Sequence, residues 1–172
     1  MFTGKICRFI CAVVIILGCL AGNSLSADNT KTLNLSKTLS QVKLFAGLTN
    51  TERDALKNVA TLRQGKEGER IIQQGKTSGK MFIILEGDAE VRIDGKSFVT
   101  LTGQSLVGEI EFLNEFPATA DVLLRKETNL IELDNGALNS LMEKQPRLGY
   151  VLMREIAKIE AQRLRKTSTK KN

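Results

Sequence analysis

Short runs of strand-forming residues, separated by glycines, constrain the fold of this chain most strongly. The runs, rich in β-branched residues, lie at 70–72, 81–85, 89–93, 98–101, 122–124 and 130–133. The intervening glycines are Gly65, Gly68, Gly75, Gly79, Gly87, Gly95 and Gly103. Tight turns favour glycine because its backbone is unrestricted, so the pattern predicts short strands in an antiparallel sandwich or barrel. Asp94-Gly95, between two of the runs, predicts a two-residue hairpin turn.

Helices are predicted on both sides of this β-rich region. Thr49 followed three residues later by Glu52 is typical of a capping box. Near the carboxyl end, apolar stripes with helical spacing lie on either side of Pro146, a residue that is tolerated at the first position of a helix. The stripes are Leu138, Leu141 and Met142, then Leu148, Val151, Leu152, Ile156 and Ile159. We therefore expect a mainly β fold with flanking helices, whose stripes form core or a dimer surface.

The chain lacks histidine, and its cysteines, Cys7, Cys11 and Cys19, all lie close to the amino terminus. This composition excludes Ser-His and Cys-His catalysis and His-ligated zinc, and beyond Cys19 it excludes disulfides and thiolate metal sites. Other side chains could still support catalysis, but no nucleophile stands beside a base in a recognisable pattern. We therefore predict a protein that is not an enzyme and that holds neither a metal nor a resident cofactor.

The amino terminus has the three parts of a secretory signal. Lys5 and Arg8 supply a basic start, residues 9–21 are uncharged and almost wholly apolar, and small residues follow up to Ala27. The apolar run is shorter than the ~20 residues that cross a membrane easily. We predict a signal peptide or membrane anchor over residues 1–27, and therefore export to the periplasm or cell envelope.

Two alternatives to cleavage near Ala27 remain open. Residues 16–19 (Ile-Leu-Gly-Cys) are similar to a lipobox, in which Cys19 would carry a membrane-tethering lipid, although Leu17 is atypical at its place. The segment could instead stay uncleaved as an anchor. Cleavage would remove every cysteine, which suits an oxidising compartment. The next segment, residues 28–43, is predicted to be a polar spacer that could include a short helix.

The order of glycines and strands continues into a longer signature. It comprises Gly75, residues 81–85, Gly87, Val91, residues 104–110 (QSLVGEI) and residues 117–122 (PATADV). Over about residues 44–165 the chain resembles the cyclic nucleotide-binding domain of catabolite activator-type regulators, cyclic nucleotide-dependent kinases and gated channels. The resemblance implies an antiparallel β jelly roll with a phosphate-binding cassette between two strands and hinged helices at the carboxyl end.

The resemblance also implies a ligand site within the cassette. Gly108 matches the glycine of an anion-binding turn, Glu109 the acid that accepts a hydrogen bond from ribose, and Ile110 the short cassette helix. Thr119 matches the small residue beside the phosphate. Ala118 stands where responsive members carry a phosphate-binding arginine, and the lost contact is worth about 1.5–3 kcal/mol. We therefore expect weak binding of cyclic AMP or cyclic GMP.

Charged residues near the cassette depart further from the family pattern. Glu111 stands where the family usually has a small residue, and Asp121 adds another acid. Arg125 and Lys126 could replace the missing arginine only if the strand geometry brings them to the cassette. The local charge therefore favours an anionic ligand less than in responsive members.

Two functions are compatible with these residues. The first is an exported, non-enzymatic sensor module that binds a nucleotide or another small anion and moves its helices in response. The second is a degenerate module that serves protein–protein contacts at the envelope. The resemblance implies a homodimer through the carboxyl-terminal helix, and we expect no DNA-binding module after that helix. Membrane contact is expected only through the amino-terminal segment or the basic tail, residues 166–172, which could contact anionic lipid.

Overall fold

Within the described part of the chain, eight strands form two antiparallel sheets, and five helices lie around them. The computed structural model describes residues 34–169, so the predicted leader over residues 1–27 and the last residues of the basic tail lie outside the described residues. The strands lie in the middle of the described chain, with helices before and after them. This confirms the mainly β jelly-roll fold that was expected from the short strand-forming runs separated by glycines.

Each sheet contains four strands. The strands are β1 (Ala60–Gly65), β2 (Arg70–Ile72), β3 (Lys80–Glu86), β4 (Asp88–Ile93), β5 (Lys96–Thr102), β6 (Ser105–Val107), β7 (Asp121–Leu124) and β8 (Thr128–Asp134). The first sheet has the order β1-β8-β3-β6, and the second has the order β2-β7-β4-β5. Every strand pair is antiparallel. Apart from the β4–β5 hairpin, successive strands lie in different sheets, as in a jelly roll.

The helices precede, interrupt and follow the strands. They are α1 (Leu35–Gln41), α2 (Asn50–Ala55), α3 (Glu109–Asn114), α4 (Asn135–Lys144) and α5 (Pro146–Thr169). Single 3₁₀ turns lie at Lys43–Phe45 and Leu56–Asn58. Within residues 34–169, none of the helices is both long enough and apolar enough to cross a membrane.

The first sheet is buried on both faces. In β3, Met81 and Ile83 pack into a core with the helices, whereas Phe82 and Ile84 pack into a second core against the other sheet. Successive side chains of a strand point to opposite faces, so a strand covered on both sides must be apolar at every position. This explains why residues 81–85 form a continuous apolar run instead of an alternating one.

Three local predictions are confirmed. The Thr49 side chain accepts a hydrogen bond from the backbone of Glu52, whose carboxylate accepts one from the backbone of Thr49, which completes the capping box. Asp94 and Gly95, with φ angles of 51° and 73°, form the turn between β4 and β5. Pro146 is the first residue of α5. Each signal depends on residues close together in the chain, so no long-range contact was needed to predict it.

The predicted polar spacer over residues 28–43 ends in packed structure. Its second half forms α1, in which Leu39 is fully buried against the helices and the first sheet. Val42, which follows the helix, is also buried. The isolated leucines of this segment therefore form one narrow apolar stripe on α1. The packed unit begins at or before Leu35, whereas the domain was expected to begin at residue 44. At the other end, α5 continues into the predicted basic tail as far as Thr169.

Glu90 in β4 carries a carboxylate that two arginines enclose. Its Oε2 atom accepts hydrogen bonds from Nη2 of Arg92 and from Nη1 of Arg125, each at 2.8 Å, and 6% of the residue is exposed. Hydrogen bonds from Arg92, Ser97 and Arg125 lower the pKa of Glu90 from 4.5 to about 2. The folded state therefore strongly prefers the charged carboxylate.

This pKa predicts a loss of stability in acid. A carboxylate whose pKa is depressed on folding stabilises the fold above its unfolded pKa, and the contribution is lost as the pH falls through the folded value. We predict that the free energy of unfolding decreases between about pH 4.5 and pH 2, and that Glu90→Gln makes this decrease smaller. Urea denaturation followed by circular dichroism at stepped pH measures the effect. The exposed Glu67 provides the control variant Glu67→Gln, and equal acid dependence in both variants would contradict the assignment.

Candidate ligand-binding site

The cassette is the segment between β6 and β7, and Gly108 determines how it begins. Gly108 has a φ angle of 86°, in the left-handed region, and precedes α3. A Cβ atom at this position would lie 2.7 Å from the carbonyl oxygen of Lys80 and 3.2 Å from Cα of Met81. Both the backbone angle and the close approach to β3 therefore require glycine. The first turn of α3 is fixed directly against the first sheet.

Glu109, the first residue of α3, connects the cassette to α5. Its Oε1 atom accepts a hydrogen bond from Nη1 of Arg163, and Nη2 of the same arginine donates to the carbonyl oxygen of Leu106 in β6. Nη1 of Arg163 also donates to Glu160 at 2.8 Å. One guanidinium thus joins α5, the cassette helix and the strand that precedes it.

The Glu109 carboxylate is only 3% exposed, and one of its oxygens has no partner. Burial raises the pKa of Glu109, while the nearby Arg163 acts in the opposite direction. No donor among residues 34–169 reaches its Oε2 atom, which is itself buried. An unpaired buried acceptor costs free energy, so a hydroxyl that reached Oε2 would gain more than an ordinary surface hydrogen bond. Oε2 of Glu109 is therefore an acceptor that is buried and has no partner among residues 34–169.

Glu111 has a structural role that the sequence did not indicate. Its Oε2 atom accepts hydrogen bonds from the backbone N–H and the hydroxyl of Ser78, at 3.0 Å and 3.1 Å, and its Oε1 atom accepts one from the N–H of Gly79 at 2.6 Å. This buried carboxylate ties α3 to the loop between β2 and β3. The acid that replaces a small family residue therefore holds the cassette helix in place.

The other predicted site residues have different surroundings. Ala118 is 8% exposed and packs into the core between the sheets, while its backbone pairs with Gly75 and Lys76. Thr119 and Ile110 are exposed. The structure therefore brings Gly108, Glu109 and Ala118 into the wall of the jelly roll and leaves Thr119 and Ile110 at its surface. The alanine provides no group that could bind a phosphate.

Arg125 and Lys126 do not replace the missing arginine. Arg125 donates to Glu90 at 2.8 Å, and Nζ of Lys126 lies 3.3 Å from a carboxylate oxygen of Asp88, so both cations are paired with acids of β4. Asp121 accepts a hydrogen bond from the backbone N–H of Gln74 at 2.8 Å. The charges near β7 thus neutralise one another instead of forming an anion site.

An apolar surface lies beside the end of the cassette. In β4 and β5, Val91 is paired with Val99 and Ala89 with Leu101, so these side chains share the inner face of the second sheet. Ala89 is fully buried, whereas Val99 is 39% exposed. Val91 is also paired with Val122, just after the cassette. This partly uncovered inner face could contact the flat face of a base.

Two parts of this arrangement were missed by the sequence analysis. The sequence analysis did not single out Arg163, because its partner Glu109 lies 54 residues away in the chain. Val91 and Val99 were predicted as strand residues, and no local signal shows which ends of two strands remain uncovered. The only indication in the sequence that Val91 and Val99 lie on the same face of a sheet was that each alternates with polar residues along its strand. Among residues 34–169, no group of three or more His, Cys, Asp or Glu side chains could hold a metal ion.

Comparison with known proteins identifies the family. A family model described as the cyclic nucleotide-binding domain matches residues 62–145, a range that contains the whole cassette and most of both sheets. Residues 62–145 belong to that family. The resemblance to the cyclic nucleotide-binding domain, first seen in the order of the glycines and in the Gly-Glu step, is confirmed for these residues.

The curated relatives of this domain are much longer proteins. Over 90 residues the chain is 37% identical to a cAMP-dependent protein kinase regulatory subunit from Mycosarcoma maydis, a match that covers 50% of this chain and 17% of that protein. Over 118 residues it is 26% identical to a cGMP-dependent protein kinase from Plasmodium berghei, with 69% and 13% covered. The chain thus spans less than a fifth of the length of either relative.

Solved structures show the same fold. A cyclic nucleotide-binding domain from Methylobacillus flagellatus superposes with a TM-score of 0.69 at 18% identity, covering 79% of each chain. The catabolite activator protein of Thermus thermophilus superposes with a TM-score of 0.61 at 23% identity, covering 74% of this chain and 60% of that one. At these identities the likeness concerns the fold alone.

The Arg163 contacts predict how firmly the end of α5 is held. Arg163→Gln removes a charged group that donates hydrogen bonds to Glu109 and Leu106. The free energy of such bonds is sufficient to make local opening of the helix roughly tenfold rarer. We predict that amide hydrogen exchange over residues 157–169 accelerates by about that factor, measured by mass spectrometry. Arg165→Gln, at an exposed position on the same helix, is the control. Equal exchange in the two variants would show that Arg163 does not hold α5.

Proposed function

We propose that this chain is an exported, non-enzymatic regulatory module whose cassette binds a small nucleotide-like ligand and signals through α5. The observation that carries the proposal is the Glu109 carboxylate, which holds Arg163 of α5 with one oxygen and has the other oxygen unpaired. The same acidic group would therefore accept a ligand hydroxyl and anchor the helix. The relatives' names, which refer to cAMP and cGMP, support a cyclic nucleotide as the class of ligand.

Ligand binding and the position of α5 would be coupled through this carboxylate. A hydroxyl that donates to Glu109 changes the charge distribution that Arg163 experiences, and displacement of Arg163 would free its bonds to Leu106 and Glu160. A ligand shifts a conformational equilibrium only by its difference in affinity for the two states. Because Arg163 and the ligand share one acceptor group, such a difference arises directly.

The ligand would be recognised mainly by its sugar and base. Ala118 lacks the guanidinium of responsive members, and a missing charge-assisted hydrogen bond of about 1.5–3 kcal/mol weakens binding roughly ten- to more than a hundredfold. The partly uncovered apolar face at Val91 and Val99 supports contact with a flat base. We therefore propose weak binding of cyclic AMP or cyclic GMP, with affinity below that of arginine-containing members.

A second candidate function is a ligand-independent module for protein–protein contacts at the envelope. The observation that favours it is that the cassette already has internal partners at its key positions. Arg163 occupies one oxygen of Glu109, and the backbone of Ala118 pairs with the loop at Gly75 and Lys76. In this case α5 would remain fixed on the cassette, and homodimerisation through α5 would be constitutive.

Restoring the arginine separates the two candidates. We predict that cyclic AMP or cyclic GMP stabilises the Ala118→Arg chain by about 2.7 kcal/mol when the ligand is present at a hundred times its dissociation constant. At the same ligand concentration the unfolding temperature of the original chain should rise less. Thermal unfolding with and without each nucleotide measures this. Ala46→Arg adds the same charge at an exposed site outside the cassette and should give no gain.

Two further outcomes complete the test. If the original chain and Ala118→Arg both show no shift at millimolar nucleotide while remaining folded by circular dichroism, the sensor proposal is rejected in favour of the ligand-independent module. Because Ala118 is buried, the variant could fail to fold. Calorimetric titration of the original chain against Glu109→Gln then decides, since the sensor proposal requires weaker binding in the glutamine variant.

Export is tested at the amino terminus. The basic start, the apolar run and the small residues up to Ala27 predict removal of residues 1–27. Mass spectrometry of the protein recovered from fractionated cells should find a chain beginning at Asp28 in the exported fraction. A lipid-modified chain beginning at Cys19, or an uncleaved chain in the membrane fraction, would show that the protein is tethered to a membrane and not released by cleavage near Ala27. An uncleaved chain in the cytosol would contradict export.

A further inference from the structure

The outer side of the cassette helix exposes apolar side chains. Ile110 and Leu113, three residues apart on α3, are 38% and 43% exposed, and Phe116, just beyond the helix, is 68% exposed. The opposite side of α3 is buried through Glu109 and Phe112. Exposed apolar side chains that occur singly need no explanation, but three within seven residues are a local concentration of apolar surface that a binding partner could cover.

A fourth exposed apolar residue lies at the same end of the molecule. Leu164 of α5 is 69% exposed and directly follows Arg163, whose guanidinium contacts Glu109. Ile110 directly follows Glu109, so this ion pair holds α3 and the end of α5 next to each other at these positions. We call Ile110, Leu113, Phe116 and Leu164 the cassette patch.

The charges around the cassette patch are mostly positive. Arg165 and Lys166 are exposed on the last turns of α5, and no acidic residue follows Glu160 in the sequence. On the cassette side, Glu109 and Glu111 are buried and internally bonded, which leaves Glu115 as the exposed acid of α3 and its cap. A few apolar side chains beside exposed cations complement an anionic lipid surface.

We propose that the cassette patch docks on an anionic membrane surface, with Ile110, Leu113, Phe116 and Leu164 at the level of the lipid headgroups and Arg165 and Lys166 near their phosphates. Four side chains provide much less than the ~800 Å² that each partner buries in a stable protein interface. Shallow insertion of a few apolar groups, reinforced by nearby cations, is sufficient for reversible lipid binding. The inference does not depend on whether the cassette also binds a nucleotide.

The absence of tryptophan from the chain permits a direct test in the full-length protein. Phe116→Trp introduces a single tryptophan into the cassette patch. The control, Phe98→Trp, introduces one on β5, where Phe98 is 64% exposed and thus similar to Phe116. Both chains keep the apolar amino-terminal segment, so its own membrane binding affects them equally. Vesicles of phosphatidylcholine with phosphatidylglycerol are compared with vesicles of phosphatidylcholine alone.

We predict that anionic vesicles shift the emission of the Phe116→Trp chain to shorter wavelength and that brominated lipids quench it, whereas the Phe98→Trp chain changes little. Replacing Arg165 and Lys166 by glutamine in the Phe116→Trp chain should weaken this response about fivefold for each cation removed. Circular dichroism establishes that each variant is folded.

Three outcomes would overturn the proposal. One is an unchanged Phe116→Trp spectrum on anionic vesicles, and another is an equal response from Phe98→Trp. The third is a shift of the Phe116→Trp spectrum that depends on protein concentration and occurs without vesicles, which would assign the cassette patch to contacts between copies of this chain.

Discussion

Burial of the first sheet on both faces is the constraint on which the rest of the structure depends. Alternate residues of β3 and β8 supply two separate cores, with Ile131 and Leu133 facing the helices and Leu130 facing the second sheet. Removing a buried side chain of this size from a packed core costs about 2–5 kcal/mol. The sheet therefore holds the helices and the second sheet in one arrangement, and it determines where α5 can lie.

This arrangement divides α5 into two parts that are held differently. Leu148, Leu152 and Ile156 are buried against the first sheet, so the first half of the helix is anchored by apolar packing. Beyond Ile156 the side chains become mostly exposed, and Arg163 makes the polar contacts with the cassette. Elements with little apolar burial open at the lowest free energy cost. The second half of α5 is therefore held mainly by polar contacts, and the proposed response to a ligand would involve this half of the helix.

Local signals explain which features were predictable from the sequence. The hairpin at Asp94-Gly95, the capping box at Thr49 and the helix start at Pro146 each depend on backbone preferences within a few residues. Gly108 was assigned to a turn only through the family resemblance, and its positive φ angle agrees with that assignment. The packing of Leu39 was missed, since a short helix with one buried stripe is hardly distinguishable from a polar spacer. The partner of Arg163 was missed because tertiary contacts alone bring residues 109 and 163 together.

The residues of the cassette explain why the predicted anion site offers little positive charge to a ligand. An arginine is replaced by the buried Ala118, and a carboxylate is added at Glu111, where three donors from Ser78 and Gly79 satisfy it. The donors of Ser78 and Gly79 are thus used in internal hydrogen bonds that fix α3, and the backbone of Ala118 pairs with the loop before β3. What remains available is an acceptor, the second oxygen of Glu109, instead of a cation. In the proposed sensor, recognition would therefore depend on the hydroxyl donors and the apolar face of the ligand more than on its negative charge.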